Sequence, residues 1–506
     1  MTTADAYDVV VIGAGIGGLS AAAMLAKEGQ RVLVLEQAEA AGGYAHAFQR
    51  GPYTFDPAVH VFPQGHDGAL PDAVLRYLGV RDRCEMIAFE HNYSAVYPDM
   101  TVNTPFGIDE YIEAHQKLFP GEAEAIDRFV RLCRVVHWQA HNMPPQLAFA
   151  NMGEAAKDSP ELFKYLRSPV QEVIDEHFTD ERLKAVMTAI WPYPGAPPSR
   201  LSFVTFATTL SVYLDGAFYC RGSFESLVQA FVEALRNHGG ELELGSLVSS
   251  VSLDNGRATG VELADGRRVE GRVIISNADA KATFEQMVGL DHLPGRFAKR
   301  LSRMTPSLSA VILFLGTTLD LDSLDLAHEV FRYKHYDQER VHEDIRAGRP
   351  GGTWASVPTS LDPSLAPEGE HALVLSSMAQ YDIGRPWDEA IDAFVDQLLD
   401  DFEPVFPGLR ESITFQEVAT PLSMERFCLN HKGAAYAWEN TPAQTGGARS
   451  PHITPVEGLF LSGHWTQPGS GSLRALVSGV HTAQLVLGSL GRPGIRMEHP
   501  DLPPSE

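Results

Sequence analysis

Four residues near the start of the chain have the types and spacing to hold a dinucleotide. In Val11-Ile12-Gly13-Ala14-Gly15-Ile16-Gly17-Gly18-Leu19, the residues Gly13, Gly15 and Gly18 fit G-x-G-x-x-G, and Glu36 follows 18 residues after Gly18. Gly13 permits a tight turn, Gly15 clears space for a pyrophosphate against the backbone, and Gly18 lets a helix pack closely on a strand. Gly17 lies on the same turn. A helix N-terminus at this point directs free N–H groups and a positive dipole end at phosphate. Glu36 can accept hydrogen bonds from ribose hydroxyls, and its charge disfavours a ligand with a 2′-phosphate. This pattern alone does not separate a nicotinamide from a flavin dinucleotide.

Such residues need a strand, a helix and a second strand to position them, and residues 7 to 36 supply all three. Asp8-Val9-Val10-Val11-Ile12 reads as a buried strand, Ile16 to Glu28 as a small-residue helix stopped at Gly29, and Arg31 to Glu36 as the second strand. From about 67 to 215 the pattern becomes mostly helical, broken at Pro105, Pro120, Pro144-Pro145 and the cluster Pro192, Pro194, Pro197 and Pro198. The α/β character then returns. Ser223 is placed to cap a helix carrying Phe224, Leu227, Val228, Phe231 and Leu235, followed by short strands and a hairpin across Asp265-Gly266. The last unit is a strand Leu459-Phe460-Leu461, a glycine-rich turn and a helix from Ser472 to about Leu490. These readings predict an α/β protein with a Rossmann-type nucleotide-binding domain built from 1–66, 216–290 and 446–492. A mixed α+β substrate domain is expected from 67–215 and 291–445, and a loose tail from 493–506.

The continuation past Glu36 is more specific. Glu36 to Gly43 reads E-Q-A-E-A-A-G-G, and Gly51-Pro52-Tyr53-Thr54-Phe55-Asp56 follows. Cys220-Arg221-Gly222-Ser223 opens a helix, and Ser276-Asn277-Ala278 ends a strand. Near the C-terminus, Thr454-Pro455-Val456-Glu457-Gly458-Leu459-Phe460-Leu461-Ser462-Gly463 precedes Pro468-Gly469-Ser470-Gly471-Ser472. Over its whole length the chain resembles the FAD-dependent amine-oxidase-like superfamily, and within it the carotenoid desaturase, carotenoid isomerase and retinol saturase group. The resemblance implies FAD as cofactor, with Gln37, Gly42 and Gly43 following the acidic strand. It implies that Val248 and Asn277 lie toward the adenine end, and that Gly463, His464, Gly471, Ser472 and Leu473 meet the ribityl chain and flavin. A helix N-terminus there stabilises negative charge on a reduced flavin.

Three positions depart from the group. Tyr44 stands where Arg is common after Gly42-Gly43, Arg221 replaces a frequent Gly, and His464 replaces an Asp that bonds ribityl hydroxyls. Arg221 either polarises a substrate beside the flavin or pairs with an acid at the domain boundary. His60, in Phe55-Asp56-Pro57-Ala58-Val59-His60, either lines the reaction cavity or is a hydrogen-bonded structural histidine. Tyr436 and Trp438 either wall an apolar tunnel or pack in the core. His60, Arg221 and Tyr436 are the catalytic candidates. The implied reaction is hydride transfer at flavin N5 to or from a carbon of a hydrophobic polyene, as desaturation, saturation or isomerisation. Two alternatives stay open: oxidation of an amine or other polar natural product on the same fold, and a non-catalytic prenyl-binding escort protein.

Composition narrows the partners. With 65 acidic and 40 basic residues the formal charge is −25, which repels nucleic-acid phosphates. It also opposes broad attachment to anionic lipid, while leaving room for a local apolar patch that touches a membrane peripherally. His137 and His141 share a helix face, but the H-E-x-x-H glutamate is missing and no metal is expected. Cys84, Cys133, Cys220 and Cys428 form no C-x-x-C and no disulfide framework, and neither a signal peptide nor a spanning apolar run is found. A cytoplasmic location is expected.

Overall fold

The computed structural model describes residues 7–143 and 152–497. The expected break at Pro144-Pro145 and the tail beyond 497 lie outside the described residues. Two seven-stranded sheets organise the chain.

In the first sheet the strand Tyr7–Ile12 is central. It pairs in parallel with Val32–Leu35 on one side (Val9↔Val32) and with Arg268–Ser276 on the other (Val9↔Val273). Glu241–Glu243 extends the parallel run beyond Val32–Leu35, and Leu459–Leu461 extends it beyond Arg268–Ser276. All five strands therefore end along one edge. Apart from the partly buried Tyr7 and Leu242, their apolar residues are buried on both faces, as a sheet covered by helices requires. An antiparallel extension runs from Arg268–Ser276 to Arg257–Leu263 and Val248–Asp254, the first pair joined through the expected hairpin. The helix Ile16–Lys27 is buried continuously from Ile16 to Ala26. Its small residues let the C-terminal helix Ser472–Ser489 approach: a Cβ added at Gly479 would lie 2.6 Å from the Gly17 carbonyl oxygen.

The second sheet runs in the order 413–419, 309–317, 371–379, 351–356, 329–332, 93–96, 101–104. Its strands alternate in the two-residue period of a sheet with two covered faces. Leu313, Leu315, Leu373 and Leu375 pack with Leu398, Leu399 and Phe402 of the helix Trp387–Phe402, whereas Ile312, Phe314 and Val374 join the main core. Tyr93–Val96 lies parallel to Glu329–Arg332 (Val330↔Ser94), so both long insertions contribute to one sheet.

Two local expectations change. The segment from 67 to 215 is not only helical: it also contains the strands Met86–Ala88, Tyr93–Val96 and Thr101–Thr104. These are three or four residues long, too short to show a period in sequence. Met86–Ala88 pairs with Ala217–Cys220, which also pairs with Phe62–Pro63. The helix expected from Ser223 begins at Glu225 with Phe224 in the N-cap position. Ser223 sits in the left-handed region at φ +84°, and its Oγ accepts the Glu225 N–H at 3.3 Å. No helix among the described residues is long and apolar enough to cross a membrane.

Candidate active site

A cavity of about 1050 Å³ opens along the C-terminal edge of the parallel strands, where open α/β sheets place their ligands. Gly13, at φ +93°, turns the chain out of the first strand, and its N–H donates to the Leu35 carbonyl at 2.8 Å. Gly15, Gly17, Gly42 and Gly43 continue the cavity wall. Gly15 has Asn277 against it: an added Cβ would stand 2.8 Å from Asn277 Nδ2. Gly18 does not line the cavity. An added Cβ would strike the Gly13 carbonyl, so Gly18 serves the close packing expected of it rather than direct ligand contact.

Glu36 is buried at the end of the second strand and borders the same cavity. Its Oε2 accepts the Ala14 N–H at 2.7 Å and its Oε1 the Ala38 N–H at 2.9 Å. Each oxygen keeps lone-pair capacity for a ligand hydroxyl. Gln37 donates from Nε2 to the Phe427 carbonyl at 2.9 Å and closes this end beside Val248. Two helix N-termini open on the cavity, at Gly15 before Ile16–Lys27 and at Gly471 before Ser472–Ser489, and neither has a side-chain cap. A glycine-walled cradle with two uncapped helix starts and a buried carboxylate fits an anionic dinucleotide. Ser472 borders the cavity and donates from Oγ to the Val61 carbonyl at 3.2 Å. Leu473 is a correction: its side chain is buried in the main core and does not reach the cavity.

The other end of the cavity is aromatic. Tyr44 borders it, donates its hydroxyl proton to the Ala434 carbonyl at 3.1 Å, and sets its ring edge-on to His464 with centroids 5.8 Å apart. Burial, helped by the nearby Arg449 charge, pushes the His464 imidazole down to about 3. His464 is therefore a neutral ring, and its backbone follows Gly463 along the wall. Arg449 lies behind it, 1% exposed, donating to the carbonyls of Thr466 at 3.0 Å and His464 at 2.6 Å and to Asn440 Oδ1 at 3.3 Å. Burial lowers this guanidinium to about 9. It ties the 464–466 turn to the 436–440 segment.

Of the catalytic candidates, His60 and Tyr436 both border the cavity and Arg221 does not. Arg221 is half exposed and makes a two-pronged pair with Glu85 at 2.7 and 3.0 Å, so the boundary ion pair is its place. Trp438 is likewise no tunnel wall. It is fully buried, stacks edge-on against Trp465 at 4.8 Å, and donates its indole N–H to the Trp465 carbonyl at 3.1 Å. Three residues at this end went unread in the sequence: Tyr193, Tyr213 and Glu329. Tyr193 and Tyr213 border the cavity beside His60. Glu329, 1% exposed, accepts the Tyr193 hydroxyl proton at 2.6 Å and lies 3.5 Å from His60 Nε2. Burial is the largest influence on His60 and lowers its pKa, while Glu329 acts in the opposite sense. The one sequence signal for Glu329 was a His-Glu pair opening an otherwise apolar strand, His328-Glu329-Val330-Phe331.

A discontinuous parallel sheet with a glycine cradle at its carboxyl edge, and an aromatic chamber beyond it, defines an FAD-dependent oxidoreductase of the α/β class. The chain belongs to the flavin containing amine oxidoreductase family, whose family model matches residues 16–487. Among curated proteins it is 27% identical to prolycopene isomerase 2, chloroplastic, from an Oncidium hybrid cultivar, over 96% of this chain and 85% of that one. It is 26% identical to human all-trans-retinol 13,14-reductase, over 91% of this chain and 82% of that one. Among solved structures, cyclohexylamine oxidase from Brevibacterium oxydans superposes with a TM-score of 0.62 at 18% identity, covering 96% of this chain and all of the other. That last likeness concerns the fold.

Proposed function

We propose that the protein exchanges hydride and proton with a carbon–carbon bond of a hydrophobic polyene or isoprenoid-like substrate. The observation that carries this reading is the form of the cavity. One space runs from Glu36 and the two uncapped helix starts to an aromatic end formed by Tyr44, Tyr193, Tyr213 and Tyr436. Prolycopene isomerase and retinol reductase, both named for polyene substrates, support it.

In this reading Gly13, Gly15 and Gly17 accommodate the pyrophosphate with Asn277 against them, while Glu36 and Gln37 take the adenosine ribose with Val248 alongside. Gly42, Gly43, Gly463, His464, Gly471 and Ser472 hold the remainder of FAD. Bound there, FAD supplies a two-electron hydride acceptor and donor. The tyrosine rings orient a flat conjugated chain and exclude water. His60 takes up or gives the proton that accompanies each hydride. Residues 1–66, 216–290 and 446–492 form the FAD domain, and 67–215 and 291–445 the substrate domain. A cytoplasmic protein that touches a membrane peripherally to collect such substrates belongs to the same proposal.

The test is anaerobic stopped-flow reduction of the flavin-loaded protein by a panel of carotenoids and retinoids beside a panel of primary amines. Reoxidation of the reduced protein by the unsaturated members is followed as well. Redox exchange with polyenes and none with amines is expected. Reduction by amines alone would overturn the reading.

A further inference from the structure

The aromatic end of the cavity rests on a buried group of three ionisable residues, of which the sequence pointed only to His60. Glu329 lies between two imidazoles. Its Oε2 is 3.5 Å from His60 Nε2, and its Oε1 is 3.1 Å from His328 Nε2. The other ring nitrogen of His328, Nδ1, is 2.8 Å from the Val357 carbonyl oxygen. A carbonyl only accepts, so Nδ1 carries a proton and neutral His328 has a bare lone pair on Nε2. That lone pair would then face a carboxylate oxygen, with both side chains at most 2% exposed and neither atom making a hydrogen bond among the described residues. His60 turns its Nε2 to the other carboxylate oxygen, and Glu329 and the Ala58 backbone both favour its charged form against burial. The Tyr193 hydroxyl satisfies Oε2, but a lone pair facing Oε1 at 3.1 Å in so buried a pair calls for a proton on one of the two, because an uncompensated buried charge is costly.

We propose that His60, Glu329 and His328 hold one proton in common, and that this group supplies and recovers the proton of turnover through His60. His60 reaches the cavity with its side chain 16% exposed, whereas Glu329 and His328 do not border it. Glu329 and His328 are thus positioning residues. The proposal rests on the polyene reading for its substrate, but not for the proton store itself.

In the saturating direction, bound reduced FAD would supply hydride to one alkene carbon, where a C–H bond forms. The π pair forms a second C–H bond at the neighbouring carbon, using the proton released when the His60 N–H bond breaks. The group falls from net charge zero to minus one and regains a proton from water. Desaturation runs the same steps backwards. Other ionisable groups facing it are the phenols of Tyr193, bonded to Glu329, of Tyr213 and Tyr436, which feel the Glu329 charge, and of Tyr219, whose ring lies 5.8 Å from that of His328 and whose hydroxyl is bonded to Asp56.

The experiment uses the full-length flavin-loaded protein with ¹⁵N-labelled histidine. His60→Gln and His328→Gln assign the two rings, and infrared difference spectra detect a protonated Glu329. At neutral pH we expect one proton in the group, either as an imidazolium or as the carboxylic acid. Glu329→Gln should lower the proton affinity of His60 at least tenfold, about one pH unit, and shift the pH profile of kcat likewise while leaving flavin content unchanged. Tyr193→Phe removes one donor from Glu329 but leaves its charge, so it should raise the same affinity. This variant reports if Glu329→Gln does not fold. Two neutral rings beside an ionised Glu329 in the wild type, or a His60 titration unmoved by either variant, would overturn the proposal. A shifted titration in a protein inert to polyenes would retain the proton store and defeat the polyene reading instead.

Discussion

The Ala14 N–H donates to the Glu36 carboxylate at 2.7 Å, fastening the glycine turn to the end of a strand 22 residues away. Glu36 therefore shapes the cradle as well as offering itself to a ribose. Hydrogen bonds to a charged group contribute about 1.5–3 kcal/mol each, so Glu36→Ala should weaken FAD binding roughly 10- to 150-fold. Glu36→Gln keeps an acceptor oxygen and should lose less. Equilibrium dialysis of FAD against deflavinated protein measures both.

Gly17 and Gly463 meet backbone to backbone. A Cβ at position 17 would lie 2.5 Å from Gly463 Cα and 2.7 Å from its nitrogen. Gly17→Ala must separate the first helix from the C-terminal turn. Overpacking of this kind costs about 1–3 kcal/mol. Thermal unfolding should show the loss in the flavin-free protein, with weaker flavin retention on gel filtration.

Asp56 makes stability depend on pH. It is 5% exposed, accepts the Phe224 N–H at 3.0 Å, and also accepts the Tyr219 hydroxyl proton. Burial raises its carboxyl from 3.8 to about 7. Between these values the folded protein holds a proton that the unfolded chain has released. The stabilising contribution is complete below the lower value and is lost as pH rises through the upper one. Asp56→Asn cannot titrate, so its urea midpoint should decline less than that of wild type between about pH 4 and 8. Equal declines would assign the dependence to other groups.

Arg221 and Glu85 are both largely exposed, at 50% and 62% of their side chains. Exposed pairs of this kind contribute little. Arg221→Ala should leave the melting temperature, flavin content and steady-state kinetics at their wild-type values. A selective fall in kcat would restore Arg221 to the catalytic machinery.

The nucleotide half of the site was legible because its signals are local. Gly13 to Glu36 form one unit in which each residue type answers to a neighbour within the same βαβ segment. The aromatic end was not legible. Tyr193 meets Glu329 across 136 residues, and it lies among prolines that read only as a break. Glu329 looked like one acid at the start of an apolar strand: His328 adjoins it, but nothing nearby in sequence shows that His60, 269 residues earlier, converges on it as well. Leu473 was misplaced, and Trp438 left open between tunnel wall and core, for a related reason. Neighbouring positions on a turn or helix point in different directions, and motif spacing does not say which one faces the cavity.

The parallel sheet takes its edge strand Leu459–Leu461 from a segment more than 180 residues beyond the strand it joins. The cradle wall at Gly463 and Gly471 arrives with it. During synthesis, the first βαβ unit gains its sheet neighbour once Arg268–Ser276 emerges, but the outer edge of that strand and the helix face that meets Ser472–Ser489 stay uncovered until those later segments follow. Flavin capture is therefore a late event of biogenesis. A shortage of FAD would be met by a long, sticky polypeptide that proteases and chaperones compete to receive.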